Sequence, residues 1–500
     1  MLFNSIDFLV FFPVVVLIYW LIPKKLRYIW LLVASYYFYM GWNAQYALLI
    51  ATSTGITYLC GLGIEWLGKK EKKSAVVGQK CVVAAGVLSN LGILFFYKYF
   101  DFFLENINLA LEHFQVKPLT SSMEVLLPVG ISFYTFQALG YMIDVYRGDI
   151  EAEKNPLKYA LFVSFFPQLV AGPIERSKNL LEQIRDIPKT KTFVYHRIVN
   201  GLMLMLYGYF LKMVIADRIS IMVDYVFAEY YNLGTFELIA GAVGFAIQIY
   251  CDFGSYSYIA IGAAQVMGFT LMENFNTPYF ATSIKDFWRR WHVSLSTWFR
   301  DYLYIPLGGN RCSKIRRYFN LMVTFLVSGL WHGAEWTYVI WGGIHGLYQV
   351  IGDLTAPLKK KINELFEVKT DCVSYKLGQM AVTFGLTAFA WIFFRADSLQ
   401  QALLYIQRMA VRFNPWVLFN GGMYTIGLDR YEANILIVAV FVLLLADIIR
   451  YRRGERLDEF LQQQNFWFRW LVVIVMIVMV IVYGKYGSAY DANQFIYFQF

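Results

Sequence analysis

The chain has 500 residues, 58% hydrophobic and 16% charged, and its 44 basic and 35 acidic side chains give a net charge of +9. A soluble globular domain carries about 25% charged residues, so this balance excludes an ordinary water-soluble fold. Five cysteines without CxxC spacing and five dispersed histidines without an HExxH motif point away from a disulfide framework and from any structural or catalytic metal.

In chain order, nearly charge-free apolar runs occupy residues 9–22, 28–42, 81–97, 435–449 and 470–483. With their aromatic and small polar flanks, several reach the roughly 20 residues that a bilayer-spanning helix needs. The same criterion predicts an all-α, polytopic integral membrane protein with roughly eleven to thirteen transmembrane or re-entrant helices. The first run lacks a basic leader and a small-residue cleavage pattern, and Lys24, Lys25 and Arg27 follow it, as in a retained first helix. Basic loops (Lys69, Lys70, Lys72, Lys73 and Lys80; Arg450, Arg452, Arg453 and Arg456) alternate with nearly neutral ones at 42–45 and 105–122. By the positive-inside rule this puts the basic loops in the cytoplasm and the N-terminus outside. Topology accounts for the positive charge, and a nucleic-acid partner is not expected. No separate soluble domain or internal repeat is visible, so residues 1–500 read as one membrane-embedded domain.

Two stretches are unusual for lipid-facing helices. Residues 126–144 combine Pro128, Gly130, Ser132, Thr135, Gln137, Gly140 and Asp144, and residues 162–176 carry Pro167, Gln168, Gly172, Pro173 and Glu175. Interrupted backbone at membrane depth is tolerated only inside protein or beside a watery cavity. Kinked packing and a cavity wall are both consistent with it.

Residues 283–317 differ again. Ile284, Phe287, Trp288, Trp291, Leu295 and Trp298 fall on one face of a helix, with Lys285, Arg289 and Arg290 over much of the remainder. That pattern predicts an amphipathic helix lying in the cytoplasmic membrane interface, with His292 at the edge of its apolar face.

His332 lies in SGLWHGA (328–334), inside the apolar stretch 319–340. Intramembrane ionisable groups usually face the protein interior or a watery path, and imidazole is the usual general base near neutral pH. Gly329 and Gly333 leave room for a substrate or another helix. His345 reads as a packing or helix-end residue, and His113 and His196 as solvated. Asp144, Glu175, Asp252 and Glu335 read as partners of structural arginines, and Arg300 with Asp301 as a structural ion pair.

The run KDFWRRWHVSLSTWFRD at 285–301, then YIPLGGNR at 304–311 and GLWHG at 329–333, resembles the membrane-bound O-acyltransferases; PVGISFYTFQ (128–137) and FPQLVAGPIER (166–176) also look like motifs of that family. Within it, the sequence is most similar to the membrane subunits of alginate and peptidoglycan O-acetylation, and more distantly to the teichoic acid D-alanyl transferases. The resemblance runs the length of the chain. It implies a catalytic His332 deep in a tunnel across the membrane and a second catalytic position at His292. It also implies a cytoplasmic acyl donor and an outer acceptor. Lys285, Arg289, Arg290, Trp291, Trp331 and Gln137 are the candidates for donor binding or tunnel lining. The ending FIYFQF (495–500) resembles the F-x-Y-x-x-F terminus of the small companion protein of D-alanylation, which implies that Tyr497, in an extracytoplasmic aromatic tail at 487–500, is a transient acyl acceptor.

The resulting expectation is a multi-pass enzyme of the bacterial cell membrane that binds no resident cofactor. It would move acetyl groups from acetyl-CoA toward an extracellular or cell-wall polysaccharide, aided by an extracytoplasmic SGNH-type acetyltransferase and bathed in membrane lipid. A transporter or flippase without acyl-transfer chemistry, and a non-catalytic scaffold, are the alternatives.

Overall fold

In the computed structural model, which describes residues 1–70, 73–119, 127–191, 193–486 and 496, 77% of the chain is helical and no described residue is in a strand. Seven described helices are long and apolar enough to cross a membrane: Gln45–Gly68, Lys73–His113, Tyr195–Ala228, Thr235–Met267, Val373–Arg395, Arg430–Arg453 and Phe466–Tyr483. Ile6–Leu21 is apolar but shorter. The composition is thus borne out as an all-α polytopic membrane protein. The larger count expected from sequence included the run at 28–42, which folds as the 14-residue helix Arg27–Met40.

The chain forms two compact units, one of Met1–Leu202 with Ala260–Met272 and one of Met203–Ile259 with Glu273–Phe500. In the first, residues 131–147 make a continuous helix, Ile131–Arg147, in place of a broken one. Its start is set by Gly130, whose φ of +75° and 2.5 Å approach of a notional Cβ to the Leu169 carbonyl admit no side chain. The second stretch does break, at Phe165 between Pro156–Ser164 and Phe166–Leu169. There the Phe166 amide donates to the Ser35 hydroxyl (3.1 Å), and the Phe162 carbonyl accepts from the Gln137 (2.6 Å) and Gln168 (2.9 Å) amides. The interruption is healed by buried side chains, which is the kinked-packing reading.

The second unit is organised around an antiparallel hairpin of Lys314–His332 and Trp336–Leu365, with Val373–Arg395 packed beside it. The hairpin helices touch backbone to backbone. A Cβ on Gly329 would lie 2.2 Å from the Tyr338 carbonyl, and one on Gly342 would lie 2.2 Å from that of Phe325. A Cβ on Gly333 would meet the Tyr338 ring at 2.1 Å. The space beside these glycines is therefore filled by the neighbouring helix.

The continuous amphipathic helix expected over 284–298 is corrected. It is two short helices, Ile284–Arg290 and Val293–Phe299, broken at His292, whose φ of 42° and ψ of 54° are left-handed. Its apolar residues Ile284, Phe287, Trp288, Trp291, Leu295 and Trp298 are all buried in protein; Trp288, for example, packs on Phe325 and Trp341. The periodicity marked a face that protein covers.

Candidate active site

Three elements of the second unit bring the two central histidines together. His332 ends the Lys314–His332 helix, and His292 occupies the break between the two short helices. Their ring centroids are 6.2 Å apart, and both are buried, at 3% and 0% exposure. The left-handed turn is pinned by Asn274: its carbonyl accepts from Val293 N (2.9 Å), its Oδ1 from the Ser294 hydroxyl (2.6 Å), and its amide donates to Ser257 (3.0 Å). A non-glycine residue in such a conformation stores about 1–3 kcal/mol and persists only where its surroundings over-determine it. Here the hydrogen-bonded frame aims an imidazole inward.

Around the pair stands an aromatic cage. Trp331 is 4.9 Å from the His332 ring and 5.9 Å from that of His292, while Trp341 and Phe394 meet His332 edge-on at 5.1 and 5.4 Å. Phe253 lies edge-on to His292 at 4.6 Å. Burial holds the His292 imidazole well below its usual range, at about 3, so this ring is neutral throughout the physiological range. A neutral imidazole can accept or donate a hydrogen bond without bringing a full charge into an apolar site.

Next to the cage opens a cleft of about 620 Å³, lined by Lys285, Arg289, Arg300 and Arg317 on its charged side and by Trp288, Ser296 and Phe325 among others. Val293, directly after His292, and Ser328, one turn before His332, line it too. Arg317 pairs with Asp353 at 2.9 Å and Arg300 with Asp301 at 2.7 Å, as expected for the latter pair. Lys285 and Arg289 are exposed and hold no ion pair among the described residues, so the cleft offers two uncommitted cations to an anionic ligand.

The other sequence candidates distribute unevenly. Arg290 does not line the cleft; it is spent on Asp286 (3.0 Å) and Thr277 (3.1 Å). Trp291 is buried against Phe287, Phe275 and Trp391, where it supports the His292 turn. Trp331 belongs to the cage. Gln137 lies in the first unit on the Phe162 carbonyl. His345 is a packing residue as expected: its Nδ1 accepts from Trp288 Nε1 at 3.2 Å, and Phe287 stacks parallel to its ring. His113 and His196 are exposed. Asp252 pairs with a lysine, Lys212, where an arginine was expected. Asp144 accepts from the Ser177 hydroxyl, and Glu175 from the Met272 and Asn179 N–H groups. Tyr497 lies outside the described residues. Asn274, Trp341, Phe394 and Phe253 were missed, since each reaches the site only through tertiary packing.

Comparison with known proteins agrees with the motifs. Residues 150–395 match the MBOAT, membrane-bound O-acyltransferase family. The chain is similar to the protein named "Probable alginate O-acetylase AlgI" of Pseudomonas aeruginosa, 38% identical over 448 residues, covering 89% of this chain and 81% of the relative. It is also similar to the peptidoglycan O-acetyltransferase of Helicobacter pylori, 35% identical over 415 residues (78% and 74% covered). The teichoic acid D-alanyltransferase of Streptococcus thermophilus is 31% identical over 262 residues (50% and 63% covered). The chain belongs to the membrane-bound O-acyltransferase family: it is a multi-pass membrane protein and an O-acyltransferase.

Proposed function

We propose that the chain transfers acetyl groups from cytosolic acetyl-CoA, across the membrane, toward hydroxyls of an extracellular or cell-wall polysaccharide. The observation that carries the reading is the pairing of His332 and His292 inside a water-poor aromatic cage, with a basic cleft alongside. The acetylated polymers named for the relatives, alginate and peptidoglycan, support a saccharide acceptor. In this reading the phosphates of acetyl-CoA sit on Lys285 and Arg289, and its thioester reaches toward the histidines.

His332 takes the proton of the accepting hydroxyl as its oxygen attacks the thioester carbonyl. The C–S bond breaks, a C–O ester bond forms, and the proton passes to the departing thiolate as CoA thiol. The neutral His292 orients the donor or stabilises charge developing on the carbonyl oxygen. The first accepting hydroxyl is the phenol of Tyr497. A phenol, with a pKa of about 10, is a better leaving group than a sugar alkoxide, so its ester passes the acetyl group onward. An extracytoplasmic SGNH-type transferase completes delivery to the polysaccharide.

Purified protein incubated with acetyl-labelled acetyl-CoA tests the reading. Thioester cleavage that disappears in His332→Ala supports it; cleavage indifferent to that change refutes it, and transport of an uncleaved substrate would restore the transporter alternative. Full acetyl transfer by Tyr497→Phe removes the relay while leaving the His332 chemistry standing.

A further inference from the structure

The second unit buries a charged cluster that the reaction above does not use. Lys212 Nζ lies 2.6 Å from Asp252 Oδ1 and 2.8 Å from Asp217 Oδ1, and all three side chains are at most 3% exposed. Ionisable groups in membrane-spanning helices are costly and commonly functional. One ammonium facing two carboxylates also leaves acceptor capacity on Asp252. That capacity is taken by the chain's own C-terminal segment: the backbone N–H of Ile496 donates to Asp252 Oδ2 at 2.8 Å, and the Ile496 side chain is buried.

A second set of contacts holds the start of the same segment. Lys212 lies in a π-helical turn, Phe210–Ala216, where the Asp217 amide bonds back to the Lys212 carbonyl. This wider register frees the Met213 carbonyl, which accepts from Lys485 N at 2.9 Å. Arg218 donates to the Tyr483 carbonyl (2.6 Å), and Glu432 bridges Arg218 (2.6 Å) and Lys485 (2.8 Å). One seven-residue stretch, 212–218, thus grips the chain as it leaves its last membrane helix and, through Asp252, eleven residues later.

We propose that the buried Lys212–Asp252 pair is a docking site for the C-terminal segment of this same chain, with Asp252 anchoring the backbone at Ile496, the residue before Tyr497. Asp252 is then a positioning residue: Lys212 orients its carboxylate, and the carboxylate fixes the register in which the tail is presented. The docking stands on these contacts alone. Its consequence for acetyl delivery rests on the relay reading above.

Full-length protein in detergent, digested from its C-terminus with a carboxypeptidase and followed by intact mass, tests it. Ile496→Pro removes the donating N–H together with the isoleucine side chain and leaves the charged cluster intact; Asp252→Ala with Lys212→Met removes the Lys212–Asp252 pair and leaves the net charge of the cluster unchanged. Wild-type trimming should slow at Ile496, and the double variant, whose tail sequence is unchanged, should be trimmed through that position at least tenfold faster at an unchanged elution profile. Equal rates in wild type and the double variant overturn the proposal. The ratio of acetyl transfer to thioester hydrolysis separates the two ideas. A ratio at least tenfold lower in Ile496→Pro supports positioning of an acyl-accepting tail. Faster trimming of the double variant with an unchanged ratio in Ile496→Pro refutes the positioning role and leaves the docking in place, while Tyr497→Phe decides the relay by itself.

Discussion

Gly329→Ala should disable the enzyme without touching either histidine. The added Cβ would lie 2.2 Å from the Tyr338 carbonyl oxygen, 3.0 Å from its carbon and 3.2 Å from Val339 Cα. All three are backbone atoms of the partner helix, so no rotamer change relieves the clash. Restoring ordinary contact moves the hairpin helices apart by roughly 1 Å, an overpacking strain of about 1–3 kcal/mol. His332 sits three residues further along the same helix, and a misplacement of about 1 Å at a reacting group costs on the order of 100-fold in rate. Gly352, on the partner helix, has nothing within 4 Å of a notional Cβ. Gly352→Ala should therefore keep full activity and gain about 0.5–1 kcal/mol from its helix propensity. The assay is thioester cleavage per mole of folded protein, with thermal unfolding measured in the same detergent. A Gly329→Ala variant with wild-type turnover and melting temperature would refute the claim that backbone contact between these helices sets the site.

Trp341 is fully buried among His332, His345, Trp391 and Phe394, so Trp341→Ala should cost about 3–5 kcal/mol in thermal or denaturant unfolding; a loss under 1 kcal/mol would mean the cage is not packed as described. Burial holds His292 neutral to about pH 3, below the range where an unfolded histidine titrates. The unfolded state therefore binds the extra proton, and stability present at pH 7 is lost as pH falls below about 6.5, by roughly 2 kcal/mol at pH 5. His292→Asn should flatten that part of the melting-temperature profile, and parallel profiles would contradict the assignment. Lys285→Ala with Arg289→Ala should raise KM for acetyl-CoA about tenfold, two exposed cations each contributing up to about 1 kcal/mol, with kcat within threefold of wild type and a weaker salt dependence. An unchanged KM would remove the cleft from donor binding.

Much of this was legible in the sequence, for reasons that differ between residues. Apolar run length fixed the fold class because a bilayer imposes it directly. His332 stood out because an imidazole in an apolar stretch is rare, and the surrounding motifs gave it a role. The break at His292 was hidden because the spacing from Ile284 to Trp298 continues through it as though one helix were present. What opens the helix there is Asn274, eighteen residues earlier and detectable only once the chain has folded. Arg290, a donor-binding or tunnel-lining candidate from sequence, pairs with Asp286, whose place four residues before it carried the signal of an i,i+4 pair. The cage residues Trp341 and Phe394 sit in apolar helices among many similar aromatics, and nothing local separates a ring that faces His332 from one that faces lipid.

The central claim is that His332 and His292 form one catalytic unit. It is tested most directly by single-turnover cleavage of acetyl-CoA by wild type, His332→Ala, His292→Ala and the double variant. Residues that act together are strongly non-additive. The account predicts that His332→Ala falls by at least about 1,000-fold and that the double variant falls no further. Substantial cleavage by His332→Ala, or two losses that simply multiply, would contradict it.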